Sequence, residues 1–324
     1  MKKYAIFWLI GTLIILLGGC RTPTGPRLRK VGQARIGTAY DVYVESGYAY
    51  VTGNDGVVIV DVQNPKRPRK IGAISIGELA MGIFVKEGLA YVAGAGQGVF
   101  IADVSVPSNP DMLGHYCDGG MAHQVRVAGD FAFVADGSDG LEILDVSDPR
   151  TPVEVAQLSS KGQGVGLTLV DTWVYLANSH TGLEIIDVAD PHTPKRVGGF
   201  SGTGGIQAVD VGEGWLYAAC HGQGVKIVSI GGGQAAQVVG TFFDGGKGEA
   251  LDVWADADKR LYVADNRDGL EVLDVRNPSA PYEIAQFGQF QPSRAFHSLF
   301  GDGDLIYIAD GRGGLLIVEL EDGH

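Results

Sequence analysis

Short runs of β-branched, aliphatic and aromatic residues, five or six long, are separated along most of the chain by clusters of glycine, asparagine and aspartate. One run stands out because it recurs: Val57-Val58-Ile59-Val60-Asp61, an apolar stretch closed by an acid. Further copies are Val99-Phe100-Ile101-Ala102-Asp103, Leu141-Glu142-Ile143-Leu144-Asp145 and Leu183-Glu184-Ile185-Ile186-Asp187. Val225-Lys226-Ile227-Val228-Ser229, Leu270-Glu271-Val272-Leu273-Asp274 and Leu315-Leu316-Ile317-Val318-Glu319 complete the series. From Asp61 to Glu319 the closing positions are 42, 42, 42, 42, 45 and 45 residues apart, and a fixed period of that size marks a repeat architecture.

Each copy carries an aromatic residue six or seven positions before a glycine, as in Tyr50 with Gly56, Phe133 with Gly140 and Tyr307 with Gly314. That spacing predicts a hairpin, with glycine supplying the positive φ of a tight turn. After the acid most copies continue into paired prolines, such as Pro65 with Pro68 and Pro191 with Pro194. Proline donates nothing to a ladder, so these positions lie between strands. A strand over 69–74 and another over 40–44 complete the unit. Four antiparallel strands per period make one propeller blade. The fold class expected is therefore all-β, a seven-bladed β-propeller of four-stranded antiparallel blades over residues 28–321.

Two end effects indicate how the ring closes. The last copy runs out at Glu321-Asp322-Gly323-His324, with no residues for an outermost strand of its own. Ahead of the first copy lies Arg29-Lys30-Val31-Gly32, which matches Arg69-Lys70-Ile71-Gly72 and Lys195-Arg196-Val197-Gly198 from outermost strands. The N-terminal segment is thus expected to be the missing fourth strand of the last blade, leaving no unpaired edge at the seam.

The five-residue stretches resemble the LVIVD repeat family over about residues 27–320. Membership implies a β-propeller of bacterial or archaeal cell surfaces, and no common activity. The fifth copy departs most from the pattern, with Ser229 in place of the acid and Gly231-Gly232-Gly233 in place of the proline loop.

The first residues carry an address. Lys2 and Lys3 precede an uncharged, mostly apolar run from Tyr4 to Gly19, which has the layout of a signal peptide. At sixteen residues it is shorter than the roughly 20 a spanning helix requires. Its ending, Leu17-Gly18-Gly19-Cys20, resembles the lipobox of bacterial lipoproteins, which implies diacylation of the Cys20 thiol after cleavage. The expected division is a signal peptide over 1–19, a lipidated tether over 20–27 and the propeller beyond. The chain would then reside at the cell envelope, extracytoplasmic and held to the membrane through Cys20. Arg21 is not the Asp that resembles an inner-membrane retention signal, which favours the outer membrane where a cell has two.

Composition narrows the chemistry. Fifty glycines and 13 prolines in 324 residues exclude long helices, and a formal net charge of −13 argues against nucleic acid as a partner. Three cysteines make no disulfide framework. Gly94-Ala95-Gly96-Gln97-Gly98 lacks the dinucleotide spacing, and no G-x-S-x-G, H-E-x-x-H, C-x-x-C or phosphate-loop motif occurs. The acids closing each stretch read as turn formers that accept a backbone N–H two residues on. Asn54-Asp55-Gly56, Gly137-Ser138-Asp139-Gly140 and Asn266-Arg267-Asp268-Gly269 read as hairpin turns, because none has the closing Glu of a calcium loop. No metal and no cofactor are assigned.

The rarer residue types gather on one face. His123 and His297 fall in innermost strands, His180 and His221 in second-to-third turns and His115 near the end of an outermost strand, and these, with Cys117 and Cys220, crowd toward one face. Asp41, His123, Glu249 and His297 are the candidate binding residues at a channel mouth, with His297 aligned to the position of Asp41 one blade on. A monomeric scaffold that binds a protein or surface polymer is the function expected. The alternatives are an extracytoplasmic enzyme acting on carbohydrate or peptide at the mouth, and a structural subunit of an envelope complex.

Overall fold

The computed structural model describes residues 25–201, 204–230, 236–243, 245, 248–288 and 295–322, so Cys20 and the signal segment lie outside the described residues. Twenty-eight strands, β1 to β28 in chain order, form seven four-stranded antiparallel sheets among them. No helix of the described residues is long and apolar enough to cross a membrane.

Two turns and one bulge shape every period. In blade one β2 (Val42–Glu45), β3 (Tyr48–Gly53), β4 (Gly56–Asp61) and β5 (Arg69–Ser75) pair in sequence order from the axis outward. Gly56 opens β4 at a φ of 119°, where a side chain would be strained, and a Cβ there would also stand 2.2 Å from the Ile74 carbonyl oxygen. Between β4 and β5 the register slips: Val60 faces Lys70 and Ile59 faces Gly72, leaving Ile71 unpaired. The same bulge recurs in the other six sheets, at Val31, Leu113, Val155, Val197, Val239 and Ile284. A bulge adds twist, and twist lets the outer strand follow the rim.

Glycine after the bulge admits the neighbouring blade. A Cβ at Gly32, Gly72, Gly114 or Gly240 would come within 1.8–2.2 Å of the carbonyl oxygen of Pro65, Pro107, Pro149 or Pro278, each in the next blade's proline loop. The loop and the glycine are therefore two halves of one contact. The acids ahead of those loops behave as turn formers. Asp61, Asp103, Asp145, Asp187 and Asp274 accept the N–H of Gln63, Ser105, Ser147, Ala189 and Arg276 at 2.8–3.1 Å.

The core is divided among the blade junctions. Val57, Ile59 and Ile74 of blade one pack on Ile83, Val85 and Val92 of blade two, and a comparable buried cluster fills each of the seven junctions. Each such side chain contributes about 1.5–3 kcal/mol on burial.

Closure follows the expectation. β1 (Arg27–Ala34) pairs with β28 (Leu315–Glu321), beyond which lie β27 (Leu305–Ala309) and β26 (Ser298–Asp302). The ladder runs from Arg27 opposite Glu321 to Ala34 opposite Leu315, and Arg29 pairs with both Glu319 and Glu321. Ala34 is buried with Val42 and Val60 of blade one, so the seam has the same core as every other junction.

Candidate functional site

Innermost strands of neighbouring blades share no ladder; at the mouth the amides of Ala39, Ala80, Ala122, Gly164, Ile206 and Ala250 bond carbonyls of the preceding blade, and amides further in find side-chain partners. Asp41 Oδ2 accepts from Ile83 N at 3.0 Å, Gln124 Oε1 from Leu167 N at 2.7 Å, and Asp252 Oδ2 from Leu299 N at 3.0 Å. Each of these acceptors belongs to the blade preceding its donor. Deeper in the channel, Asp210 Oδ2 accepts from Ala255 N at 2.8 Å. The polar ring around the axis is a set of braces from blade to blade.

These braces surround a cavity of about 210 Å³ lined by Asp41, Asp210, Asp252, Gln124, Thr168 and Ser298 with the aromatic rings of Tyr43, Trp254 and Phe300. Arg126 lies among them, 5.7 Å over the Phe84 ring. Tyr43 meets Phe84 and Phe300 at ring-centre distances of 5.0 and 4.8 Å, so an aromatic layer sits beneath Asp41 and Asp252, level with Asp210.

Burial governs titration here. It pushes the Asp252 carboxyl up to about 7, the charge of Asp41 adding to the effect against hydrogen bonds from Leu299, Ser298 and Val253. Asp41 and Asp210 are raised for the same first reason, with the Arg126 charge opposing. Burial lowers His123 and His297, which favours their neutral imidazoles.

The four residues expected at the mouth lie around it without converging. Asp41 bonds Ser298 Oγ at 2.6 Å in blade seven, besides Val42 N and Ile83 N. His297 is one residue out of that register. Its ring sits 5.5 Å from Tyr40, its N–H donates to the Ala309 carbonyl, and burial works against the charged imidazole that a carboxylate partner would have favoured. Glu249 turns to its own blade, accepting from Asn266 Nδ2 at 2.9 Å and pairing with Arg267 at 3.2 Å, and the Asn266 bond holds its carboxyl below the ordinary value. His123 is half-buried in β10 (Ala122–Ala128). Ser298, Asp252, Gln124 and Asp210 are the channel residues sequence reasoning missed; tying each innermost strand to its second-strand partner would have found them.

Away from the axis, the gathering of rarer residues on one face is plain. His115 bonds the Gln97 carbonyl at 2.5 Å and Cys117 lies 3.8 Å from the Gly96 carbonyl, while His221 bridges to Ala250. Both cysteines of the described residues are free; Cys117 is exposed, and burial pushes the Cys220 thiol up to about 11.

Solved structures share the architecture. The β-propeller domain of Cps50 (Swd1) from Myceliophteria thermophila superposes with a TM-score of 0.75 at 13% identity, covering 91% of this chain and 100% of that one. The computationally designed Ika8 protein gives 0.66 at 9% identity, with 90% and 98% covered. Such identities speak of fold alone. No curated protein matches the chain. The model of the LVIVD repeat matches residues 36–74, 77–118, 119–159, 162–201, 247–288 and 300–320, more than half of the sequence. The gap at 202–246 coincides with blade five, whose copy departs from the pattern. With that coverage on a seven-bladed ring, the chain belongs to the LVIVD repeat family.

Proposed function

We propose that the chain is a lipid-anchored protein of the bacterial cell envelope, and that its propeller is a binding scaffold for a protein or surface polymer. The binding surface is the face that carries the outermost-to-innermost connections. The observation behind this reading is the difference between the two faces. On one, proline carbonyls repeat the same contact with glycine from blade to blade. On the other the connections differ in length and sequence, and Met121 and Phe243 stand exposed on two of them, as Val106 does on a proline loop of the first face. Repetition serves a scaffold, and variable loops on a rigid ring serve recognition.

The tether supports the same face. Outermost strands run from the proline-loop face toward the other, so β1 enters the fold at the proline-loop face. A short lipidated segment from Cys20 to Arg27 then holds that face toward the membrane and turns the variable face outward. Arg21, Arg27, Arg29, Lys30 and Arg35 precede the first acid, Asp41, which suits anionic headgroups.

Capture from the native cell, with the tagged chain as bait, tests the reading. Met121→Ser combined with Phe243→Ser is expected to abolish recovery of the partner, while substitutions around Pro65 and Pro149 leave it intact. The reverse pattern would place binding on the opposite face and defeat the proposal.

A further inference from the structure

Blade three holds a group of buried carboxyls that no Lys or Arg of the described residues pairs with. Asp136 ends β11 (Phe131–Asp136) and Glu142 lies in β12 (Gly140–Asp145), each only 2% exposed. Among the described residues, neither carboxylate oxygen of Asp136 nor Glu142 Oε1 has a hydrogen-bond partner in ordinary geometry, and the Met121 amide and Tyr116 hydroxyl nearby only soften the effect of burial. Asp118, on the connection leaving blade two, joins them, and one oxygen from each of the three lies within 4.8 Å of the others. The cradle is closely shaped. A Cβ at Gly120 would stand 1.9 Å from Asp136 Oδ2, and Gly120 N holds Asp118 Oδ1 at 2.9 Å. Among the described residues no Lys or Arg forms an ion pair with any of the three. Burial, with the charge of Asp118 next, pushes Asp136 up to about 7 and Glu142 up to about 8.

Blade four shows how the same positions look when the charge is balanced from within. Glu184 corresponds to Glu142, Asn178 to Asp136 and Ser160 to Asp118. Arg196 corresponds to Glu154, since Ile186 faces Arg196 as Leu144 faces Glu154. There Glu184 pairs with Arg196 and accepts from Ser160 Oγ, and Asn178 Nδ2 donates to Ser160 Oγ. Blade three keeps the cradle but replaces the guanidinium with Glu154, which accepts the Tyr116 hydroxyl at 2.8 Å.

We propose that Asp118, Asp136 and Glu142 bind a divalent cation, calcium fitting best, where blade four uses an arginine. A set made only of carboxylate oxygens suits a hard ion, whereas zinc favours nitrogen and sulfur. Calcium ligands at about 2.3–2.6 Å place opposed oxygens about 4.6–5.2 Å apart, which accommodates this spread without rearranging the blade. The ion fastens the connection leaving blade two onto the wall of blade three. This inference stands apart from the assignment of the binding face.

The test uses the full chain stripped of metal with a chelator, with CaCl2 and MgCl2 titrated by calorimetry and melting followed in parallel. Wild type is expected to bind one calcium saturably and to melt higher with it. Asp136→Asn with Glu142→Gln is expected to weaken binding about tenfold or more. Asp118→Asn alters an exposed residue, so weaker binding in that variant does not depend on a core that survives the double change. Asp118→Ser with Asp136→Asn and Glu154→Arg rebuilds the blade-four set and is expected to abolish the calcium response of melting. Absence of saturable CaCl2 binding by wild type, unchanged affinity in these variants, or tighter binding of MgCl2 than of CaCl2 overturns the assignment.

Discussion

Ser298 Oγ donates to Asp41 Oδ1 at 2.6 Å, joining residues 257 positions apart across the seam between the last blade and the first. Asp41 also receives Val42 N and Ile83 N, so a single side chain braces three blades at the mouth. Removing it strands the Ile83 amide. Asp41→Ala is expected to cost about 1–3 kcal/mol, and Ser298→Ala less, in urea unfolding. Equal stability of Asp41→Ala and wild type would show that the brace carries nothing.

The pH dependence follows from Asp252. Its folded carboxyl titrates at about 7 against an ordinary 3.8, so the fold keeps a proton that the unfolded chain has released over that interval. Where the native state binds more protons, stability falls as pH rises. The contribution is complete below the ordinary value and lost as pH passes the folded one. Melting temperature is expected to decline from pH 5 to pH 8 in chelator, and Asp252→Asn is expected to flatten part of that decline. A slope unaltered by the substitution would refute the reading.

Gly114 faces the Pro149 carbonyl, where a Cβ would stand at 2.2 Å. Gly114→Ala must push the proline loop of blade three outward, and overpacking of this kind costs about 1–3 kcal/mol. Ala156 occupies the same position after its own bulge, so Ala156→Gly serves as the matched control with a much smaller effect. Thermal unfolding compares the two.

Deleting residues 25–35 removes the outer strand of blade seven. β28 is left with an open edge and the first junction loses Ala34. A fall in stability of several kcal/mol is expected, with self-association through the exposed edge. Calorimetry and size-exclusion chromatography read the two effects, and a monomer that melts at the wild-type temperature would contradict closure at β1.

Anchoring through Cys20 is tested by Cys20→Ser. Incorporation of a palmitate analogue and recovery with the membrane fraction are both expected to disappear. Labelling that persists in the variant would rule out this residue as the lipid site.

The blades were legible in the sequence because a turn glycine, an aromatic residue and a closing acid return at a fixed spacing, and the matching Arg29-Lys30-Val31-Gly32 segment exposed the closure. Register at the mouth was not. Aligning Phe296 with Tyr40 puts His297 on Asp41, but pairing of Phe300 with Tyr307, as Tyr43 pairs with Tyr50, puts Ser298 there instead. Side chains alternate along a strand, so one residue decides whether a group faces the channel or a neighbouring blade. The acids of blade three escaped for another reason. Asp118, Asp136 and Glu142 belong to two blades, and their meaning appears only when Glu154 is set beside Arg196.

The closing ladder reverses the order of manufacture. β1 precedes every other strand of the ring, yet its partner β28 follows it by about 290 residues, so every other blade can be complete while β1 still waits. Bringing such distant segments together is the slow part of folding, since loop closure must precede any reward from the contact. Arg27, Arg29 and Lys30 keep the waiting strand charged and poorly suited to pairing with another chain. The strand from Leu315 therefore decides whether the whole ring is sealed, and a nascent chain stopped before it has no means of locking what it has already built.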